Sequence, residues 1–334
     1  LRPGSQPQKI NVEIVTDDYD ADAIKNFRSS GATNLTVNNK GDEVAFVIRG
    51  DVYATSVKYP TTVRITNTPG QERSIDISPD GRSVVYDSER DGIWGLYISK
   101  IKNPEEKKLA YATEFEEEPL YICSTSAQQP IFSPDGKKVA FLEDRTTLKV
   151  IDLKTKKVKT ALDGKYNSSY VDGDIPFTWS PDSKRLLIDY IGVGGWNNSD
   201  IALVSADGKE VVNLTESGYS NANPKWVLDG KAVTYVTGKY GMKAQGSWGN
   251  QSDVILMALD PEAWDDFNMT EEEAALKAEA EKEKKDAEKD DAKDKKDKKG
   301  KKKDSKKDKK GKKADKEKTD ADKPAMALDL DNRR

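Results

Sequence analysis

Short apolar, β-branched runs alternate with polar turns along most of the chain, and the alternation repeats. Ile77-Ser-Pro-Asp-Gly-Arg-Ser-Val-Val-Tyr86 recurs as Phe132-Ser-Pro-Asp-Gly-Lys-Lys-Val-Ala-Phe141 and as Trp179-Ser-Pro-Asp-Ser-Lys-Arg-Leu-Leu-Ile188. A degenerate copy runs from Trp226 to Tyr235, and the earliest from Val37 to Phe46. Successive copies start 40, 55, 47 and 47 residues apart, close to the period of propeller blades. In each copy an aromatic or aliphatic residue closes one strand. Ser-Pro-Asp-Gly then turns the chain: Pro presets φ, Asp bonds nearby backbone, and Gly accepts φ > 0. A strand such as Lys138–Leu142 follows, then a variable loop, a third strand such as Leu148–Leu153, and a short fourth such as Val211–Leu214. Four short strands per unit predict an all-β chain, a β-propeller of four-stranded blades. Helical periodicity is scarce before Thr270.

Five copies predict about five blades, part of a six- or seven-bladed ring. Residues 1–36 are expected to end a preceding or ring-closing blade, with a strand at Ile10–Val15. Blades are expected over 37–269, a charged insertion over 270–323, and the start of a further strand over 324–334. Strand antiparallelism sorts the connections. Ser-Pro-Asp-Gly turns share one face. Loops between second and third strands, and connections into the next blade, share the other. The longest, most aromatic and Gly-rich loops gather on that second face, where binding loops sit on rigid scaffolds.

Composition narrows the reading. The chain has 334 residues, a net charge of −4 and 34% charged residues. The average hides two regimes. Thr270–Lys323 holds 22 Lys against 18 acids; that local +4 against a total of −4 leaves −8 for the rest. The body is mildly acidic and offers no footprint for nucleic acid. Thr270–Asp291 has the composition of a frayed helix. The lysine-richer part beyond it lacks arginine and aromatics, interleaves Asp, and reads as a disordered, solvated insertion. No apolar run nears the ~18 residues needed to span a bilayer. A single cysteine, Cys123, forbids an intrachain disulfide and fits a reducing compartment. Beginning at Leu1, the chain reads as a segment of something longer or a processed form. It contains no histidine, which removes the usual general base of hydrolases and the commonest zinc ligand. No catalytic, cofactor-binding or metal-binding residue is expected.

The ordered run Arg49-Gly-Asp-Val-Tyr53, Arg64-Ile-Thr66, Pro69–Ser74, Asp87-Ser-Glu-Arg-Asp-Gly-Ile-Trp94 and Gln129–Pro134 resembles the second propeller of bacterial tricorn-like serine proteases, whose blades carry TolB-type repeats. The Lys-rich insertion followed by Leu328–Arg333 is similar too. The resemblance covers nearly the whole chain. It implies a non-catalytic propeller that gates or docks peptide substrates for PDZ and serine-protease domains outside this segment, in the cytoplasm. A protein-binding, TolB-like scaffold in the periplasm is the alternative, and homo-oligomer formation stays open.

Three further stretches have plainer readings beside a functional one. Gly246-Ser-Trp-Gly249 fails the nucleophile-elbow spacing, because Gln245 stands two before Ser247. Asp17–Asp22 lacks the glycine and closing Glu of an EF-hand loop. In Gly192–Ser199 a tryptophan among glycines and asparagines either stacks on a ligand or tucks over its blade. The candidate contact residues are Trp196, Asn197, Tyr240 and Trp248.

Overall fold

A computed structural model describes residues 30–243, 251–280, 282–283 and 326–333. Ile10–Val15, Asp17–Asp22, Trp248 and the tract from 284 to 325 lie outside the described residues.

The described chain is a β-propeller of successive antiparallel blades. Blade one is β1 (Ala32–Val37), β2 (Glu43–Ile48), β3 (Asp51–Ser56) and β4 (Thr62–Arg64). Blade two is β5 (Gln71–Ile77), β6 (Ser83–Arg90), β7 (Ile93–Ile101) and β8 (Phe115–Tyr121). Blade three is β9 (Ala127–Phe132), β10 (Lys138–Glu143), β11 (Thr147–Asp152) and β12 (Val158–Leu162). Blade four is β13 (Phe177–Trp179), β14 (Arg185–Tyr190), β15 (Asp200–Ser205) and β16 (Val211–Asn213). Blade five has three described strands, β17 (Asn221–Val227), β18 (Ala232–Thr237) and β19 (Asp253–Ala258). One expected boundary moves. Residues 32–36 were expected in a preceding blade, yet they form β1. The repeat begins on the residue that closes a first strand, so each blade starts several residues before its motif.

The first strands stand side by side. Asp76 on β5 accepts from Thr36 of β1 (3.3 Å) and from the Phe132 N–H of β9 (2.8 Å). Trp179 Nε1 on β13 donates to the Ile131 carbonyl of β9 (3.1 Å). Four apolar seams bind the five blades. Ala45, Val47, Val84 and Tyr86 fill the first, and Val85, Leu96, Val139 and Phe141 the second. Ala140, Leu148, Leu186 and Ile188 fill the third, and Leu187, Leu203 and Val233 the fourth. This explains the strand patterns. β6 reads buried on both faces because blade two lies between two neighbours, whereas β2 alternates buried and half-buried.

The repeated turn is built as its chemistry demands. In blade two, Ser78 Oγ donates to Asp80 Oδ1 (2.6 Å), which also accepts the Arg82 N–H (3.0 Å), while Ser83 N–H donates to Ser78 Oγ (2.9 Å). Blades three and four repeat this with Ser133–Asp135 and Ser180–Asp182. Gly81 and Gly136 take φ of 72° and 67°, and Ser183 takes 59° in the copy lacking glycine. The turns also link blades: Asp135 N–H donates to Ser183 Oγ (3.0 Å).

One glycine is fixed by a close approach. Gly208, at φ 75°, lies so near β12 that a Cβ would overlap the Thr160 carbonyl. Gly208→Ala therefore combines a left-handed φ with a backbone clash, and should destabilise by about 2–4 kcal/mol. Urea unfolding checks this; a loss below about 0.5 kcal/mol would mean that blades three and four can part there freely.

After β19 the chain leaves as helix α1 (Pro261–Phe267), capped by Asp260, and helix α2 over residues 271–280. Thr270 and Glu273 form a reciprocal capping box at α2, which is why helix begins there. Residues 326–333 return without strand pairing. Asp329 N–H reaches the Leu259 carbonyl (2.8 Å), Met326 N–H reaches Asp182 of the blade-four turn (3.0 Å), and Leu328 and Leu330 join the fourth seam. Both ends of the excursion thus sit at the Ser-Pro-Asp-Gly face.

Candidate functional site

The second-to-third-strand loops and the blade-to-blade connections meet on the opposite face. Asp144 N–H bonds the Ser126 carbonyl (2.8 Å), Ile191 N–H the Tyr166 carbonyl (2.7 Å), and Ser199 Oγ the Asn221 carbonyl (2.8 Å). Each bond joins a loop to a connection on that side.

Trp196 lies at the tip of the 191–199 loop and is 61% exposed, so it does not tuck over its blade. Its ring faces that of Tyr170, 70% exposed, at 6.2 Å and a 55° tilt. Asn197 is exposed beside it. Tyr240 is 49% exposed in the next blade's loop. Lys243 donates to the Tyr240 carbonyl (3.1 Å) and lies 5.3 Å from the Tyr219 ring. The structure brings Trp196 to Tyr170 rather than to Tyr240.

The Trp196 loop hangs on Asp200, the 0%-exposed first residue of β15. Its Oδ2 accepts from Val193 N–H (3.0 Å) and Asn213 Nδ2 (2.8 Å), and its Oδ1 from Thr215 Oγ1 (2.7 Å) and Ser217 N–H (2.9 Å). Gly192 passes so close that a Cβ would strike the Asp200 carboxylate. One buried side chain therefore ties the loop, β16 and the connection to blade five.

Sequence reasoning missed the other half of the site, the 163–176 connection. Asp172 reaches back across two blades. Its Oδ2 lies 3.1 Å from Arg73 Nη2 on β5, and its Oδ1 lies 3.0 Å from Arg145 Nε in the blade-three loop. Arg73 also stacks on Trp94, with its guanidinium carbon 3.6 Å from the ring centroid, and reaches Asp87 Oδ2 at 3.4 Å. The Gln129 side chain holds the Ile175 carbonyl (3.3 Å). Asp174 Oδ2 accepts from Tyr170 N–H (2.6 Å) and Val171 N–H (3.0 Å), which sets the Tyr170 turn. Burial pushes Asp87 up to about 7, against the opposing charge of Arg73. Burial and then the Asp174 charge push Asp189 up to about 7. Among sequence signals, only the polar, Gly-containing stretch Tyr166–Asp174 before Ile175-Pro176 marked this connection.

Among the described residues no group of three or more acids and cysteines is placed to hold a metal ion, and no helix is long and apolar enough to cross a membrane. The face offers hydrogen-bonding charge beside exposed rings, an arrangement suited to binding.

No known family model matches the chain, and no curated protein matches it. Solved structures do. The tricorn protease structure aligns at 17% identity and a TM-score of 0.54, covering 69% of this chain and 22% of that one. TolB from Acinetobacter baumannii aligns at 19% identity and a TM-score of 0.45, covering 69% of this chain and 52% of that one. The chain thus spans about a fifth of the length of tricorn protease. At that identity the first likeness shows the propeller fold.

Proposed function

We propose that this chain is the non-catalytic propeller portion of a tricorn-like serine peptidase, and that its loop face docks peptide substrates for a catalytic core elsewhere. The observation that carries the reading is the exposed Trp196–Tyr170 pair, held on a rigid anchor beside the Arg73–Asp172–Arg145 cluster. Exposed, fixed aromatics supply large contact area at little entropic cost, and arginine and carboxylate groups satisfy a peptide's backbone. PDZ and protease domains as partners and a cytoplasmic location belong to the same proposal. With no histidine in the chain, bond cleavage is assigned to another domain.

Fluorescence anisotropy with a labelled peptide library tests docking. Trp196→Ala should weaken binding roughly tenfold without changing the melting curve. Fluorogenic peptides and a serine-reactive probe should show no turnover by residues 1–334. Turnover abolished by one Ser→Ala change would overturn the assignment. Unchanged peptide binding by Trp196→Ala would place docking on another face. Failure of every peptide, with capture of a folded protein instead, would favour the TolB-like scaffold.

A further inference from the structure

Two exposed features lie at opposite ends of blade five, and their chemistry is complementary. The first is the tip of the loop between β18 and β19, Lys239-Tyr-Gly-Met-Lys243, in which every residue is exposed. Met242 is 64% exposed. Among the described residues neither lysine is ion-paired: Lys239 Nζ lies 5.4 Å from the Tyr240 ring centroid and Lys243 Nζ 5.3 Å from that of Tyr219. Residues 238–252 contain these two lysines and no acid. The tip stands on a fixed base. Met242 N–H donates to Gln251 Oε1 (3.0 Å), Gln251 N–H to the Met242 carbonyl (3.1 Å), and Gly238 N–H to the Ser220 carbonyl (2.8 Å).

The second feature is a cleft of about 440 Å³ where α1 meets α2, lined by Trp264, Asp265, Asn268, Met269 and Glu273. An indole and a thioether line it beside two carboxylates. Glu273 Oε2 serves the capping box with Thr270, which leaves Oε1. Asp260–Ala280 holds eight acids and one lysine, and that lysine, Lys277, pairs with Asp266. The tip and the cleft of one molecule do not meet. Lys231, in the first turn of blade five, holds α1 through Asp260 (3.7 Å) and Glu262 (3.8 Å), and the Asp266–Lys277 pair ties α2 to α1. Between that face and the loop tip runs β19, six residues long and so roughly 20 Å.

We propose that the Lys239–Lys243 tip of one copy of this chain docks in the α1–α2 cleft of a second copy. Tyr240 and Met242 fill the cleft, and the two ammonium groups meet the carboxylates of Asp265 and Glu273. Methionine adapts to irregular apolar space and packs favourably against an indole. The opposed charges set register and steer encounter more than they add affinity. Each copy carries a tip on one face and a cleft on the other, so the contact is head-to-tail and propagates from copy to copy. The interface goes beyond peptide docking and does not depend on it.

Sedimentation velocity of the whole 334-residue chain tests this from about 2 to about 200 μM, at about 50 mM and about 500 mM salt. The sedimentation coefficient should rise with concentration, and the higher salt should weaken association at least tenfold. Lys239→Glu/Lys243→Glu should stay monomeric throughout. So should Asp265→Lys/Glu272→Lys, which reverses exposed acids on α1 and α2. An equimolar mixture of these two variants should associate, because one keeps an intact cleft and the other an intact tip. Met242→Ser should weaken association roughly tenfold, whereas Lys154→Glu, in the exposed turn after β11, should leave it unchanged. A parent chain that is monomeric at every concentration overturns the interface, as does a mixture that stays monomeric. Association that survives either charge reversal, or Met242→Ser, overturns it too and puts the contact elsewhere on the blades. The salt comparison uses the unaltered chain, so a folding defect in a variant leaves it standing: association indifferent to salt also overturns the interface.

Discussion

Asp200→Ala should cost the folded chain about 3–5 kcal/mol and lower its melting temperature by roughly 10 °C. Removing the carboxylate strands donors from three elements around a fully buried acid at once: Val193 N–H in the loop, Asn213 Nδ2 on β16, and Thr215 Oγ1 and Ser217 N–H in the connection to blade five. Asn221 Nδ2, 3.4 Å away, is a fifth. An unpaired buried donor costs more than the bond contributed, because its water is not returned. The loop it anchors holds Gly192, Gly194 and Gly195, so the unfolded chain gains much freedom there. Far-UV melting and limited proteolysis read the effect, with new cleavage expected within 191–199. Asp200→Asn keeps one acceptor oxygen but sets an NH2 against donors, and should lose nearly as much. Thr215→Val removes one bond and should cost only about 1 kcal/mol. If Asp200→Ala melts within 2 °C of the parent, the network is ornamental and Trp196 is held by other means.

The blades were legible because their information is local. Ser78, Asp80 and Gly81 build a turn within a few residues, and the apolar strand after it has one way to pack. The degenerate copy at Trp226 was legible for the same reason, although Leu228, Asp229 and Gly230 all take positive φ there. The exposure of Trp196 could be read because a tryptophan among glycines and asparagines has few apolar sequence neighbours to pack against. Tyr170 was not, since nothing adjacent in sequence announces its partner. Arg73, Arg145 and Asp172 come from a strand of blade two, a loop of blade three and the connection between blades three and four. Pairings of that range are decided by how blades stack, which the repeat specifies only as a period. The return of Met326 to Asp182, 144 residues away, is illegible in the same sense. The boundary at residue 36 was misplaced because the motif marks a strand's end and says nothing of its beginning.

The folded chain should lose stability as pH rises from about 4 to about 7. Asp76 is pushed up to about 6 by burial, and Asp87 and Asp189 to about 7. An unfolded aspartate titrates near ~3.9. Between these values the folded state keeps protons that the unfolded state has released, so the free energy of unfolding falls with pH and levels off above about 7. Carboxylates held low, such as Asp182 with its bonds from Ser180 and Met326, act in the opposite sense but only at the acid end. Asp189 gives the sharpest variant. Its Oδ1 has no donor, whereas Asp76 has two. Asp189→Asn removes a charge opposed by burial and by Asp174. It should stabilise the chain by about 2–4 kcal/mol at pH 8 and by little at pH 4, flattening the pH slope. Urea unfolding at both pH values measures the difference. Lower stability of Asp189→Asn at pH 8 would mean that the carboxylate is already paired with a cation in the folded chain, and the pH slope would need another explanation.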